Sequence, residues 1–184
     1  LGCPFYDREL ITLAAQRAQL REEIFAGKDE KAGNPWLFTG VYEGGPLVRK
    51  GRSAEDILFD MQSQVILELA EKGLCVIVGR CGDYVLRRAG VPVCSLYLCA
   101  PFAWRVAHRM ELEHIPESQA TDEVRKLDRQ RRKYYDTYTG GDWGAPENYD
   151  LCINTSVLGV EGTAAALLEH LKGSRGLIAQ SPTR

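Results

Sequence analysis

Apolar residues recur along the chain at two different spacings, which predict helices and strands in alternation. Residues 53–72 carry an apolar side chain every three or four positions, as an amphipathic helix does. The apolar stripe of this helix consists of Ile57, Met61, Val65 and Leu69. Short apolar runs bounded by turn residues predict strands at 74–78, 93–99 and 149–153. Helical spacing recurs at 7–25, at 82–88, from Pro101 onward, at about 117–137 and at 161–172.

This alternation of strands and helices predicts an α/β fold. Buried strands that are separated by helices usually run parallel, with helices on both faces of the sheet. We therefore expect three layers, with a parallel sheet in the middle. Residues 26–52 interrupt the pattern, because they hold six glycines and two prolines, and they are predicted to form a long loop.

Charge and cysteine content limit the classes of partner. The formal net charge is −2, so the chain as a whole does not attract nucleic acid or an anionic membrane. No apolar run approaches the roughly 20 residues that span a bilayer. The six cysteines form no C-x-x-C pair, which favours free thiols in a reducing cytoplasm, and the three histidines lack metal-ligand spacing. We predict a cytoplasmic protein that binds neither nucleic acid nor membranes and has no metal ligands of its own; the oligomeric state stays open.

Polar residues follow two of the predicted strands directly. Arg80 comes after the strand at 74–78, and Thr155 and Ser156 come after the strand at 149–153. Parallel sheets bind ligands at the carboxyl ends of their strands. The sequence therefore predicts an anion site at this edge of the sheet. A lowered pKa of the Cys81 thiol, next to the Arg80 cation, is a further and weaker expectation.

Arginines on two predicted helices allow two interpretations. Arg105 and Arg109 lie four positions apart on one helical face, where like charges repel unless something offsets them. They either form ion pairs on a solvated face or bind phosphoryl groups, for which the planar guanidinium is well suited. The residues that could offset their charge are Glu111, Glu113 and Asp128.

A second group of arginines occupies the polar helix at about 117–137. Arg125, Arg129 and Arg132 share one face of it, whereas Arg131 lies on another. This stretch is either a solvated face or, with its neighbouring tyrosines, a surface for RNA. The overall acidity argues against the RNA interpretation.

Five stretches, in their order and spacing, resemble the cytidylate kinase-like family, which belongs to the P-loop nucleoside monophosphate kinases. They are PFYDREL (4–10), LAEKGLCVIVGRCGDYVL (69–86), LYLCAPFAWRVAHRM (96–110), DRQRRKYYDTYTGGDWG (128–144) and NYDLCINTSVLGVEG (148–162). The resemblance implies one kinase-like domain over 1–172, with a monophosphate-binding segment at about 7–72, a helical lid at about 110–126 and a tail at 173–184. It also implies transfer of the γ-phosphoryl group of ATP, with Mg²⁺, to a cytidylate or deoxycytidylate acceptor.

The resemblance also assigns roles to individual residues. It implies that the acceptor nucleotide is bound by Asp7, Arg8, Arg80 and Asp83. It implies that the phosphates are bound and the reaction is catalysed by Arg105, Arg109, Arg129 and Arg131. It places Thr155 and Ser156 near the base of ATP.

Two departures from the family pattern suggest an alternative function. Cys81 stands where true cytidylate kinases have an aspartate after Gly-Arg, and no G-x-x-x-x-G-K-[ST] phosphate-binding motif occurs in the sequence. We expect a glycine-rich phosphate-binding segment to precede Leu1 in the natural protein, and we expect the 184-residue chain alone to be inactive. The alternative is a nucleotide-binding regulatory module of the same fold that has lost turnover.

Overall fold

A computed structural model of the chain describes residues 1–7, Leu10 and residues 54–178. The chain divides into two compact units, Leu1–Val91 and Pro92–Arg184. The loop predicted at 26–52, Arg8 and most of the helix predicted at 7–25 lie outside the described residues.

Among the described residues of the first unit are two short parallel strands and two helices that are described in full. Strand β1 (Phe5–Tyr6) pairs with β2 (Val76–Ile77), with Phe5 opposite Val76 and Tyr6 opposite Ile77. Helix α1 spans Ala54–Glu71, and α2 spans Gly82–Arg88. Gly73 follows α1 with a φ of 129°, a conformation that suits glycine, so the predicted end of this helix is confirmed.

The core of the first unit corrects the predicted stripe of α1. Val65 and Leu69 are buried as predicted, but Met61 is only half-buried, and the side chain of Ile57 lies outside the described part. The rest of the buried face consists of Leu58, Gln62 and Ile66. The helix is therefore rotated by roughly one position relative to the predicted face, since Leu58 is buried next to the predicted Ile57.

The second unit contains two parallel strands and three helices. Strand β3 (Leu96–Cys99) pairs with β4 (Leu151–Asn154), with Leu96 opposite Leu151 and Cys99 opposite Asn154. The helices are α3 (Phe102–Glu113), α4 (Glu117–Thr139) and α5 (Thr155–Ile178). A short 3₁₀ turn covers Pro146–Asn148. Near its start, α5 is interrupted at Gly159, whose φ and ψ are 66° and −179°.

Helices α3 and α4 form a hairpin with a small core of its own. His114 ends α3 in the left-handed conformation, with a φ of 55°, and Pro116 precedes α4, so the two helical patterns form separate helices, as predicted. Val106 and Val124 are buried between the helices with Ala120, and Met110 and Ile115 pack against them. Contacts of this kind give a helical hairpin a defined geometry.

The parallel α/β character that the sequence predicts is confirmed. In the described part of the chain the strands pair two by two, so the continuous three-layer sheet stays a prediction. Within the same described residues, no helix combines the length and the apolar character that crossing a membrane requires.

Candidate functional site

A strained turn joins β2 to α2. The amide of Gly82 donates a hydrogen bond to the carbonyl of Gly79 at 3.0 Å, and φ is 57° at Arg80 and 53° at Cys81. Positive φ at both central residues defines a type I′ turn, which glycine and asparagine usually occupy. Each left-handed residue of another type costs about 1–2 kcal/mol. Strain of this kind clusters at functional sites, so the turn is a candidate site.

Arg80 and Asp7 lie at the same edge of the first sheet. Because β1 and β2 are parallel and in register, the residues that follow the two strands meet at one edge. The Arg80 side chain is almost completely buried, with 4% of the residue exposed. Asp83 is half-buried in the first turn of α2, where a negative charge also stabilises the positive end of the helix dipole.

The expected activation of Cys81 is wrong. The pKa of this thiol is raised to about 12, chiefly by burial and further by the negative charge of Asp83, and Arg80 offsets only part of the increase. A thiolate is the reactive form of cysteine, so this side chain is inert at neutral pH. All six cysteines are free thiols, as predicted. The apolar surroundings of several of them also predict that these thiols are buried, which is confirmed for Cys81 but wrong for the exposed Cys152 and the four half-buried members.

Arg105 is anchored at two points in the second unit. Its Nη1 atom donates to the two carboxylate oxygens of Asp128, at 2.8 and 2.9 Å. Its Nε atom donates to the carbonyl of Ala100 at 3.1 Å, just beyond the carboxyl end of β3. Asp128, which sequence reasoning offered as one of three offsetting acids, therefore binds Arg105.

Arg109 lies between two carboxylates of the same hairpin. Its Nη2 atom is 2.8 Å from Glu113 Oε1, and its Nε and Nη2 atoms donate to Glu123 Oε2 at 3.3 Å. Partial burial acts to raise the pKa of Glu123, but hydrogen bonds from Gln119 and Arg109 and the Arg109 charge outweigh it and lower that pKa. Sequence reasoning missed Glu123, which was not among the three acids expected to offset these arginines.

Arg131 lies on α4 three positions after Asp128, the carboxylate that binds Arg105, which places the two residues on one side of the helix. Burial lowers its pKa, Asp128 and Tyr97 act in the opposite direction, and the positive charges of Arg105 and Arg109 lower it further. We call Arg105, Arg109 and Arg131 the arginine cluster. Three of the four predicted catalytic arginines therefore lie together, and Arg129 is exposed, on a different face of α4 from the half-buried Arg131.

Phe102 is a further residue that the sequence did not single out. The guanidinium carbons of Arg105 and Arg125 lie 5.7 and 5.4 Å from the centroid of its ring, within the range of cation–π attraction. Phe102 begins α3 and is partly exposed. The contact between Phe102 and Arg125 joins the start of α3 to the middle of α4.

Thr155 and Ser156 lie at the carboxyl edge of the second sheet, as predicted. The Thr155 hydroxyl donates to the carbonyl of Cys99 at 3.2 Å. The Ser156 amide and hydroxyl donate to Asn154 Oδ1, at 3.0 and 2.7 Å. The adjacent carbonyls of Cys99 and Ala100 thus bind Thr155 and Arg105, which brings these two predicted site residues to one edge.

Aromatic side chains pack the loop that follows α4 against β3. The ring of Tyr97 stacks on Tyr149 with centroids 4.8 Å apart and meets Trp143 edge-on at 5.6 Å. The amide of Trp143 donates to Asp136 Oδ1 at 2.9 Å, which ties the loop back to α4. A Cβ atom at Gly144 would lie 2.7 Å from the Tyr97 hydroxyl oxygen, so glycine is required there.

The described residues offer no separate metal centre. Within residues 1–7, 10 and 54–178, no three His, Cys, Asp or Glu side chains are grouped closely enough to hold a metal ion. Three carboxylates of the α3–α4 hairpin instead bind arginines, namely Asp128, Glu113 and Glu123.

Comparisons with known proteins agree with this architecture. The chain is 32% identical over 108 residues to the cytidylate kinase of Pyrococcus horikoshii, an alignment that covers 57% of this chain and 55% of that protein. The chain thus matches about half the length of this curated relative. A crystal structure of an uncharacterised protein from Eubacterium ventriosum has the same fold, with a TM-score of 0.62 and 22% identity over 95% of this chain and 86% of the other.

A family model also matches the chain. The model of the cytidylate kinase-like family matches residues 1–157, which include the strained turn, the arginine cluster and the start of α5. Because this match covers most of the chain, the protein belongs to the cytidylate kinase-like family.

Proposed function

We propose that this protein is a nucleoside monophosphate kinase-like phosphotransferase, which moves the γ-phosphoryl group of ATP to a cytidylate or deoxycytidylate acceptor. The observation that carries the proposal is the packing of α3, which carries Arg105 and Arg109, against α4, which carries Arg131. On α4, Arg131 follows Asp128, the carboxylate that binds Arg105, by three positions. Family membership and the relative named a cytidylate kinase support the choice of reaction and acceptor.

The arginine cluster fits the main demand of phosphoryl transfer. The reaction requires in-line positioning and neutralisation of charge on the transferring oxygens, and little covalent chemistry from the protein. An arginine aimed at the transferring group contributes on the order of 10³-fold or more in rate. In this proposal the three guanidinium groups bind the phosphates, and the segment of about 110–126 acts as a lid that excludes water.

The remaining predicted residues complete the proposed site. We assign Asp7, Arg8, Arg80 and Asp83 to the acceptor nucleotide, Arg129 to a further phosphate contact, and Thr155 and Ser156 to the base of ATP. The assignment assumes one domain over 1–172 with a continuous three-layer sheet, a monophosphate-binding segment at about 7–72 and a tail at 173–184. The location at the carboxyl ends of parallel strands supports it.

The described residues fit ATP better than they fit a free metal ion. Guanidinium groups suit phosphate oxygens, whereas no cluster of metal ligands occurs in the described residues. Mg²⁺ would therefore be held chiefly by the phosphates of ATP, as is common in kinases. Because the sequence lacks the G-x-x-x-x-G-K-[ST] motif, we expect the 184-residue chain to bind the acceptor without transferring phosphate.

One observation favours the alternative, a regulatory module that binds nucleotide without turnover. Arg105 and Arg109 already bind the carboxylates of Asp128, Glu113 and Glu123, which neutralise much of their charge. In a kinase these carboxylates must release or share the arginines when phosphates bind. In a regulatory module the carboxylates can keep their bonds to Arg105 and Arg109.

Two assays test the proposal together. Calorimetry of the 184-residue chain with CMP, dCMP, UMP, AMP and GMP is expected to show binding of the cytidylates at the tightest affinity. A coupled assay for ADP release, on the protein as its gene encodes it, is expected to show turnover with the same acceptors. If the 184-residue chain binds nucleotides and the protein as its gene encodes it shows no turnover, the regulatory module is favoured. If calorimetry shows no nucleotide binding and the coupled assay shows no turnover, both functions are overturned.

Variants assign the parts of the proposed site. Arg105→Ala and Arg109→Ala are expected to lower kcat chiefly, by about 100-fold or more, because they act on the transferring group. Lys172→Ala is a matched control, since Lys172 belongs to an exposed ion pair with Glu169 and should leave kcat and KM unchanged. Normal kcat in both arginine variants would remove the arginine cluster from the mechanism.

A further inference from the structure

Asp128 holds Arg105 in a way that leaves part of the guanidinium group available. We infer that Asp128 is a positioning residue, which fixes the orientation of Arg105 for an anionic ligand without touching that ligand itself. The inference rests on the proposed function, because it concerns how one arginine of the cluster is presented to phosphate.

The donor count of Arg105 is the first step. A guanidinium group has N–H donors on Nε, Nη1 and Nη2, in a fixed plane. The Ala100 carbonyl accepts from Nε, and the Asp128 carboxylate accepts from Nη1. Nη2 makes no hydrogen bond to the described residues, so its two donors stay available to a phosphate oxygen.

The origin of the two anchors is the second step. Ala100 follows β3, and Asp128 lies in the middle of α4, so the guanidinium plane is fixed from the sheet and from the hairpin at once. A single anchor would leave rotation about the terminal torsions of the side chain. Two anchors on different elements remove that freedom before the ligand arrives, which is the condition for efficient electrostatic stabilisation of a transition state.

The charge of Asp128 is the third step. Its carboxylate lies beside Arg105 and near Arg131, whose positive charges repel each other. Removing this negative charge makes the cluster more positive and should strengthen ground-state binding of an anion. Losing the anchor should weaken transition-state stabilisation. The two consequences have opposite signs, so binding and turnover are expected to separate.

The test uses two substitutions at Asp128 in the protein as its gene encodes it. Asp128→Asn removes the charge and weakens the anchor; we expect kcat to fall about tenfold while Kd for inorganic tripolyphosphate stays equal or decreases by about threefold. Asp128→Glu keeps the charge but displaces the carboxylate by one methylene group, so kcat should fall with Kd unchanged. Glu169→Gln, on an exposed ion pair of the same unit, is the matched control for the loss of one negative charge.

A double-mutant cycle with Arg105→Ala identifies the path of the effect. If Asp128 acts through Arg105, adding Asp128→Asn to Arg105→Ala should cause no further loss of kcat. A full, additive loss in the double variant would overturn the inference, because Asp128 would then act independently of Arg105. Circular dichroism of each variant verifies the fold, and Asp128→Glu carries the test where Asp128→Asn fails to fold.

The outcomes separate this inference from the proposed function. If Arg105→Ala lowers kcat and both Asp128 variants behave as wild type, the inference alone fails. If Arg105→Ala leaves kcat unchanged, the role proposed for Arg105 fails and the inference fails with it. If the protein binds ATP without turnover, the proposed transfer fails, and the same cycle measured as Kd for ATP must still show coupling between Arg105 and Asp128 for the inference to stand.

Discussion

The turn at Arg80 and the arginine cluster differ in how far they expose their guanidinium groups. Arg80 lies in a left-handed turn with 4% of the residue exposed, so its backbone and its surroundings fix it. Arg105 and Arg109 have side chains that are 32% and 22% exposed, and carboxylates on the same hairpin hold them. The fold therefore encloses the guanidinium group of Arg80, whereas those of Arg105 and Arg109 form ion pairs at a partly open surface.

This difference determines how each arginine can meet a ligand. A carboxylate and a phosphate oxygen present similar acceptors to a guanidinium group, so an anionic ligand can replace or share a carboxylate partner. A buried arginine has no such exchange available without a change in its surroundings, since an uncompensated buried charge is costly. We therefore expect substitutions at the turn to affect stability first, and substitutions in the arginine cluster to affect function first.

The largest expected effect is on thiol reactivity in the turn. With the pKa of Cys81 at about 12 instead of 9.0, its thiolate fraction at pH 8 is lower by about 1000-fold. Iodoacetamide should therefore label Cys81 far more slowly than the exposed Cys152 in the folded protein, as measured by mass spectrometry of the peptides.

Urea-unfolded protein provides the control, because both thiols should then react at similar rates.

The raised pKa of Cys81 also predicts how the stability of the fold depends on pH. A raised pKa in the folded state stabilises the protein fully below the unfolded value near 9, and this contribution is lost as the pH rises towards 12. Equal labelling of Cys81 and Cys152 in the folded state would show that the turn is open.

The next largest effect is expected for Arg80→Ala. Arg80 is nearly fully buried and makes interactions that the substitution would remove, so we expect the free energy of unfolding to fall by about 3 kcal/mol. Urea denaturation at pH 7 measures it. The control is Arg88→Ala on α2, because Arg88 is exposed and donates only to the Tyr84 hydroxyl, at 3.0 Å. If both variants lose under about 0.5 kcal/mol, Arg80 is not structurally fixed.

A moderate effect is expected for Gly144→Ala, beside the arginine cluster. The new Cβ would lie 2.7 Å from the Tyr97 hydroxyl oxygen at a φ of 84°, so we expect a loss of about 2 kcal/mol in the free energy of unfolding. Gly140→Ala is the matched control, because its φ is 69° and nothing lies within 4 Å of its added Cβ. It should lose only about 1 kcal/mol, from backbone strain.

Removing the Tyr97 hydroxyl distinguishes the contact from the strain. Tyr97→Phe should restore part of the stability lost in Gly144→Ala, since the nearest atom to the new Cβ is then gone. It should restore none of the loss in Gly140→Ala. If Tyr97→Phe restores the same amount of stability in Gly140→Ala as in Gly144→Ala, contact with the Tyr97 hydroxyl is not the cause of the loss in Gly144→Ala.

Local sequence patterns predicted the elements of the fold well. Helix α2 begins at Gly82 and ends at Arg88 as the sequence indicated, because a strand, a glycine and an apolar helical pattern are all local signals. The buried face of α1 was less predictable, since Gln62 is 1% exposed in a position where periodicity alone would place an apolar residue. A buried polar side chain depends on tertiary partners, which periodicity does not encode.

The candidate site was predictable in its residue types and less so in its contacts. The four-residue spacing indicated that Arg105 and Arg109 share a face, and the need for offsetting acids was confirmed at Glu113 and Asp128. Glu123 was missed, although it pairs across the same two helices as Asp128, because the spacing of residues along the chain does not show which acids of α4 face α3. The left-handed conformation of Arg80 and Cys81 was also missed, since neither residue type favours it.

The smallest expected effect is on the ion pair between Arg109 and Glu123, where Glu123→Gln should cost under about 1 kcal/mol because both side chains are partly exposed. The pKa of Glu123 is lowered in the folded state, so its contribution is present above the unfolded value of 4.5 and is lost as the pH falls through the lower folded value. Urea denaturation at pH 7 and pH 3 should therefore show a difference from wild type only at pH 7, reduced by salt. Glu169→Gln, on a more exposed pair, is the control and should cost nothing measurable. A loss above about 2 kcal/mol in Glu123→Gln would make this ion pair as structural as the turn at Arg80, and the arginine cluster would then be too firmly bound to its own acids to exchange them for phosphate.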